Sequence, residues 1–105
     1  TDQQILLISK DTVEHSDSFL AQGGICVMTS PEDYHSYFED TMKAGHYVNR
    51  PESVDIMIRS SREIIGNLIH YGVEFEHDAE GSLLFTREGG HSKPRILFHE
   101  DITGH

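Results

Sequence analysis

The chain has 105 residues, 36% of them hydrophobic and 25% charged, which is the make-up of one small globular domain with a modest core. Eight Lys and Arg against eighteen Asp and Glu give a formal charge of -10, a balance that repels a phosphate backbone and argues against nucleic acid as a partner. The single cysteine, Cys26, can close no internal disulfide and has no CxxC companion, so a reducing compartment is favoured. No apolar run approaches the roughly 20 residues of a membrane span, and the start lacks the basic and apolar regions of a signal peptide, which makes the cytoplasm the expected location. The chain opens on Thr1 and reaches an apolar run by Ile5, an abrupt start expected of a piece of something longer.

Ile5-Leu6-Leu7-Ile8 is continuously apolar, the pattern of a strand buried on both faces, as in a parallel sheet. Polar residues 11–18 predict a loop, and Phe19-Leu20-Ala21 a short helical turn ahead of Gly23-Gly24. Ile25-Cys26-Val27-Met28 reads as a second strand. Ser30-Pro31-Glu32-Asp33 predicts a helix start, with Ser30 as N-cap, Pro31 at the first helical position and Asp33 placed to cap back. That helix should run to Ala44, turn Tyr34, Phe38 and Met42 inward, and stop at Gly45. Asn49-Arg50-Pro51-Glu52 starts another, whose apolar stripe is Val54, Met57, Ile58, Ile64, Ile65, Leu68 and Ile69, ended by Gly72. Val73-Glu74-Phe75 and Leu83-Leu84-Phe85 flank a polar turn and predict a hairpin-like element. Arg95-Ile96-Leu97-Phe98 is the last strand expected. No internal repeat or low-complexity segment interrupts this order, and the fold class is α/β.

Two stretches draw attention as sites: Thr86-Arg87-Glu88-Gly89-Gly90-His91-Ser92, and its echo Ala21-Gln22-Gly23-Gly24. Each sets paired glycines, which let a backbone approach a ligand closely, beside side chains that exchange protons. Two glycines alone are a weak phosphate-loop signal. The eight histidines include no pair at the spacing of a zinc helix, and no metal is expected. His91 and His99 are the pair to watch, because they flank a basic cluster of Arg87, Lys93 and Arg95. That cluster could draw a small dicarboxylate; the plainer reading, which composition favours, is that it neutralises neighbouring acids. Glu88 could receive an ammonium group or move a proton, or be a solvated loop carboxylate. Cys26, inside an apolar run, reads as an inert small hydrophobe. The residues by themselves reach an acidic α/β piece in which residues 86–95 could form an anion site, and no reaction.

The chain resembles the L-aspartate oxidase family, FAD-dependent flavoproteins of the succinate dehydrogenase and fumarate reductase group. The resemblance runs through residues 5–10, Ser16-Asp17-Ser18-Phe19-Leu20-Ala21-Gln22-Gly23-Gly24-Ile25, Glu39-Asp40-Thr41 with Ala44-Gly45, Gly72-Val73, the stretch at 86–92, Arg95-Ile96-Leu97 and Thr103-Gly104. It implies that residues 1–105 are part of a FAD-binding dinucleotide fold with two helices and short strands packed on it, the first strand with its GxGxxG turn and the C-terminal remainder lying outside. It implies that Lys10, Asp17, Ser18, Phe19, Leu20, Ala21, Gln22, Gly23 and Gly24 contact FAD. Asp17 stands where the succinate dehydrogenases have the histidine bonded to flavin, so non-covalent FAD is implied. Glu88 stands where the dicarboxylate enzymes have phenylalanine, which implies that it orients a substrate ammonium.

The implied reaction is oxidation of L-aspartate to iminoaspartate with oxygen or fumarate as acceptor, the first step of de novo NAD biosynthesis, with quinolinate synthase as pathway partner. The isolated piece is expected to be inactive. The family usually has histidine directly after the segment matching Arg95-Ile96-Leu97, whereas here Phe98 comes first and His99 second. The alternatives are a fumarate reductase-like flavoprotein fragment, which Glu88 and Asp17 oppose, and a non-catalytic acidic binding module.

Overall fold

Proline opens both helices, at positions where its missing N–H would have had no helical partner. Pro31 begins a 3-10 turn, Pro31–Asp33, that runs into α1, Tyr34–Ala44; Pro51 is the first residue of α2, Pro51–His70. The computed structural model describes residues 2–105. Gly45 ends α1, its N–H donating to Thr41 O at 3.1 Å. A Cβ on Gly45 would overlap the Asn49 side chain, so glycine lets the connection fold back against the helix. Gly72, at φ +99, turns the chain away from α2, a conformation that suits glycine.

A two-residue strand β1, Ile25–Cys26, pairs antiparallel with β2, Ile96–Leu97, setting Ile25 against Leu97 and Cys26 against Ile96. Val27 extends the pairing, donating to Arg95 O at 2.9 Å. The other edge of β2 bridges Thr86, which donates to Ile96 O at 2.9 Å. Successive backbone groups of an extended chain point to opposite edges, so this short central strand holds the two glycine-bearing stretches on either side of itself. Leu97 is fully buried in a cluster with Val27, Ile65 and Phe75. A second cluster, Tyr37, Met42, Val54 and Ile58, joins the two helices. No helix among the described residues is long and apolar enough to cross a membrane.

The α/β class, both helices and the hairpin-like element at 73–85 stand, the last reduced to one His77–Leu83 bridge around an Asp78 turn. Four expectations change. Residues 5–8 form no strand, and Ile5, Leu6, Leu7 and Ile8 are 80, 82, 72 and 80% exposed. A strand written for burial on both faces needs neighbours on its edges and faces, and the described residues supply none. The predicted strand at 25–28 is paired as a strand only at its first two residues. The Asp33 side chain does not cap back to Ser30; its carboxylate is buried against Arg95, with Thr29 Oγ1 donating to Oδ2 at 3.4 Å. The inward stripes are also rotated. Tyr37 and Met42 are buried on α1 while Tyr34 and Phe38 are half-buried; on α2, Val54, Ile58, Ser61 and Ile65 are buried while Met57, Ile64 and Ile69 are 44, 50 and 45% exposed. Ser61 sits in the apolar stripe because its hydroxyl is satisfied twice, donating to Ile58 O at 2.7 Å and accepting Met28 N–H at 2.9 Å.

Candidate functional site

The first wall of the site is the loop at 16–24. Ser16 starts it as a small helical turn: its hydroxyl accepts Phe19 N–H at 3.2 Å and its carbonyl accepts Leu20 N–H at 3.0 Å. The segment at 99–105 then pins the loop from one side. Gly104 N–H donates to Ala21 O at 2.9 Å, Thr103 Oγ1 to Gly23 O at 2.6 Å, and Gln22 Nε2 to Asp101 Oδ2 at 2.8 Å. No peptide bond here is cis, and in a trans peptide the carbonyl and the following N–H point in opposite directions. The Gln22 and Gly24 N–H groups are therefore turned away from the 99–105 segment. Neither they nor the Gly23 N–H find an acceptor among the described residues.

Glycine is required at two of these positions by close approach. A Cβ on Gly24 would overlap Leu97 O and a Cβ on Gly104 would overlap Ser18 O. Gly23 differs: at φ +76 it occupies the left-handed region with open space where a Cβ would be. Free N–H donors beside an uncovered glycine suit pyrophosphate or flavin carbonyl oxygens, so the residues present fit FAD on this wall. The other residues predicted to contact FAD lie along the same loop. Asp17, Ser18, Leu20, Ala21 and Gln22 are exposed, and Phe19 packs edge-on against His105 at 4.4 Å. Lys10 and Asp17 come together on a neighbouring cavity of about 610 Å³.

The second wall is the turn at 88–91, closed by His91 N–H donating to Glu88 O at 3.3 Å, with Gly90 third in the turn at φ +83. Both ring nitrogens of His91 are engaged. Arg95 Nη1 lies 3.0 Å from Nδ1 and Cys26 Sγ lies 3.2 Å from Nε2. A guanidinium only donates, so Nδ1 accepts and the imidazole proton sits on Nε2, facing the sulfur. Burial, aided by the Arg95 charge, lowers the His91 pKa below 6.5, which keeps this tautomer neutral. Burial likewise pushes the Cys26 thiol up, as expected of an inert thiol.

Arg95 is fully buried; it neutralises neighbouring acids, as the plainer reading expects, but inside the fold rather than on the surface, and is not open to an anion. Its Nε and Nη2 grip Asp33 at 3.1 and 2.7 Å, its Nη1 reaches Asp40 Oδ2 at 2.7 Å, and Nη2 also donates to Ser36 Oγ at 3.0 Å. Its plane lies over Tyr37, 4.9 Å from the ring centre. Only Arg87 and Lys93 of that cluster are exposed. The histidine pair is corrected: His91 faces this network, while His99 lines a separate cavity with Tyr71, Phe75 and Thr103. Glu88 is exposed, and its carboxylate makes no hydrogen bond or ion pair among the described residues. Those residues hold no metal-binding cluster of His, Cys, Asp and Glu.

Burial opposes ionisation of Asp33 and Asp40, yet the Arg95 and Ser92 donors outweigh it: Asp33 titrates below its usual 3.8 and Asp40 falls to about 2. Depressed pKa values in the folded state mean that the unfolded chain binds protons more readily, so stability rises with pH through these windows. The contribution of the carboxylates is complete above about pH 3.8 and is lost as the pH falls toward about 2. Neutral His91 adds an earlier stage, complete above pH 6.5 and lost below its lowered pKa. The unfolding midpoint of the full-length protein should fall on acidification in both windows, with the lower stage smaller in Asp40→Asn. A midpoint flat between pH 4 and pH 2 would contradict the network.

The two walls meet at a cavity of about 550 Å³, onto which Gly24 and Cys26 open from one stretch, Gly89, Gly90 and His91 from the other, and Asn49 from the helix connection. Asn49 Oδ1 is buried there with no hydrogen-bond partner among the described residues. Gly89 has open space where a Cβ would be and no left-handed φ, so nothing in the fold itself demands glycine at that position. Sequence reasoning missed Asp33, Ser36, Tyr37 and Asp40 as parts of the site. The signal was present: they recur at helical spacing and form a polar inward stripe that begins in the 3-10 turn and continues on α1.

The sequence matches the FAD binding domain family over residues 1–105. It is 47% identical over 103 residues to the L-aspartate oxidase of Clostridium perfringens, covering 98% of this chain and 23% of that protein. Identity to the chloroplastic L-aspartate oxidase of Arabidopsis thaliana is 38% over 101 residues, 95% of this chain and 16% of the plant protein. The chain thus spans about a quarter of the length of its clostridial relatives. Among solved structures, an E. coli quinol fumarate reductase superposes with a TM-score of 0.79 at 25% identity, over 86% of this chain and 16% of that one. A Mycobacterium smegmatis Sdh1 complex in the apo form gives a TM-score of 0.79 at 24% identity, over 91% of this chain and 17% of that one, and shares the fold.

Proposed function

Because the chain belongs to the FAD binding domain family, we propose that it is the part of an L-aspartate oxidase in which the flavin-facing and substrate-facing loops meet. The carrying observation is the opposition of two unpaired sets of groups across one strand. Gln22 and Gly24 offer free N–H donors on one side of β2, and Glu88 offers a carboxylate without a partner on the other. The first set suits an electron-rich cofactor edge, the second a cationic substrate group. Identity of 47% to the Clostridium perfringens L-aspartate oxidase supports the same choice.

In this reading Lys10, Asp17, Ser18, Phe19, Leu20, Ala21, Gln22, Gly23 and Gly24 hold FAD, which when bound accepts a hydride from the substrate Cα. Asp17 has no ring nitrogen to bond the flavin, so the cofactor is held without a covalent link. Glu88 binds the ammonium of L-aspartate and orients its Cα, and His91, neutral and doubly bonded, serves as an anchor rather than as an acid or base. The product is iminoaspartate, oxygen or fumarate takes the electrons, and the reaction is the first step of de novo NAD biosynthesis in the cytoplasm, feeding a quinolinate synthase. The family's GxGxxG strand and its remaining substrate-binding residues belong to other parts of the full-length protein. A fumarate reductase-like reading draws on the structural neighbours; Glu88 and Asp17 oppose it, since Glu88 supplies a counter-charge for an ammonium that succinate lacks and Asp17 offers no ring nitrogen to a covalent flavin.

The purified full-length protein should be yellow, release its flavin to the supernatant on acid precipitation, and be bleached anaerobically by L-aspartate but not by succinate. A colourless protein would sink the FAD assignment, flavin in the pellet the non-covalent one, and bleaching by succinate alone the substrate.

A further inference from the structure

Asp40 carries more bonding than its ion pair requires. Asp33 already grips Arg95 through two of the guanidinium nitrogens, at 3.1 and 2.7 Å, and balances its single charge. Asp40 is thus a second carboxylate on a cation already matched. Its Oδ2 gathers three donors at 2.7 Å each: Arg95 Nη1, Ser92 N–H and Ser92 Oγ. Two of the three come from the loop that follows Glu88. Ser92 Oγ also lies 3.2 Å from Ser36 Oγ, a second tie to α1.

These bonds fix one end of the turn at 88–91. Ser92 is held to α1, and His91 is held between Arg95 and Cys26 of β1, the strand that begins directly after Gly24. With its closing residue held on both ring nitrogens and the next residue tied twice, a four-residue turn leaves Glu88 little freedom of placement. Nothing among the described residues holds the Glu88 carboxylate directly, so its position is inherited from this anchorage.

We propose that Asp40 is a positioning residue, which through Ser92, and through Arg95 to His91, sets the Glu88 turn against the Gly24 strand and thereby fixes the affinity of the site for a substrate ammonium. The proposal rests on the reading of Glu88 given above. Asp40 never touches the substrate. Its second negative charge also leaves the network with one unit of excess negative charge, which favours a cationic group in the adjoining cavity.

The test is a double-mutant cycle in the full-length flavin-loaded protein, reading KM and kcat for L-aspartate. Asp40→Asn keeps the side-chain shape and weakens the hub. It should raise KM about tenfold with kcat and flavin content little changed, and in a Glu88→Gln background it should raise KM less than about twofold. Ser92→Ala removes only the hydroxyl arm and keeps every Arg95 ion pair, so it remains informative if Asp40→Asn folds poorly. It should raise KM about threefold, again only when Glu88 is present. Equal rises in both backgrounds would show a merely structural role and overturn the proposal. If Glu88→Gln alone leaves KM and kcat for L-aspartate unchanged, the Glu88 contact itself fails, a result read from a single variant and distinct from additivity in the cycle.

Discussion

Glu88→Gln in the full-length protein should lower kcat/KM for L-aspartate about 10- to 150-fold, the range that follows from losing a hydrogen bond to a charged group worth about 1.5–3 kcal/mol. The introduced amide keeps the size of the side chain and one acceptor oxygen, and it loses the charge that offsets desolvation of the ammonium. Fumarate carries no ammonium, so its reduction should change less than about threefold. The exposed Glu88 carboxylate has no hydrogen-bond or ion-pair partner among the described residues, so the melting temperature should not move. Steady-state kinetics with both substrates give the answer. Equal losses would mean that Glu88 acts on the flavin or on the fold.

Arg95→Met should destabilise the protein by about 3–5 kcal/mol, the typical cost of removing one partner from a buried ion pair. The reason is what remains: Asp33 at 3% side-chain exposure and Asp40 at 16%, both left without a cation. Methionine fills the space over Tyr37 but offers no donor, so both carboxyls should titrate higher and the acid-side loss of stability should begin at a higher pH. Adding Asp33→Asn should restore part of the loss, because an unpaired amide costs less to bury than an unpaired carboxylate. Arg87→Met, at an exposed site, is the control and should stay within about 0.5 kcal/mol. Denaturant midpoints measured on all of these variants decide the matter. Equal effects of Arg95→Met and Arg87→Met would show that the buried network contributes nothing to stability.

Much of the secondary structure was legible because it depends on local rules. Pro31 and Pro51 start helices and Gly45 and Gly72 end what they should, since a missing N–H or a missing Cβ acts within one turn of chain. Residues 5–8 were misread for the opposite reason: hydrophobicity states a need for burial and says nothing about whether a neighbour is at hand. The helix faces were misjudged because periodicity was counted over apolar residues alone. Tyr37 and Ser61 are inward positions that such a count passes over: Tyr37 lies under the Arg95 guanidinium, and the Ser61 hydroxyl accepts Met28 N–H from far away in sequence. For Arg95 the favoured reading, a charge that neutralises neighbouring acids, holds, but in the interior rather than on the surface. In the sequence it stands with Lys93 and Arg87 as a basic cluster, and only the helix that carries Asp33 and Asp40 shows that its charge is already matched.

The glycines were legible in the sequence, but not as two kinds of position. Gly24 and Gly104 are small because another backbone presses on them, whereas Gly23 and Gly89 are small while facing open space. Only the second kind of glycine leaves room that a ligand could use, and no pattern of letters distinguishes the two.

The pinning of the loop at 21–24 has a bearing on binding thermodynamics. With the Ala21 and Gly23 carbonyls held by Gly104 and Thr103, the two peptide planes that carry the Gln22 and Gly24 N–H groups are oriented before any ligand arrives. The loss of rotational freedom falls on folding rather than on association, so an acceptor atom meets donors that need not reorganise. Thr103 and Gly104 need not reach the ligand to matter to its affinity: they supply it as order already in place.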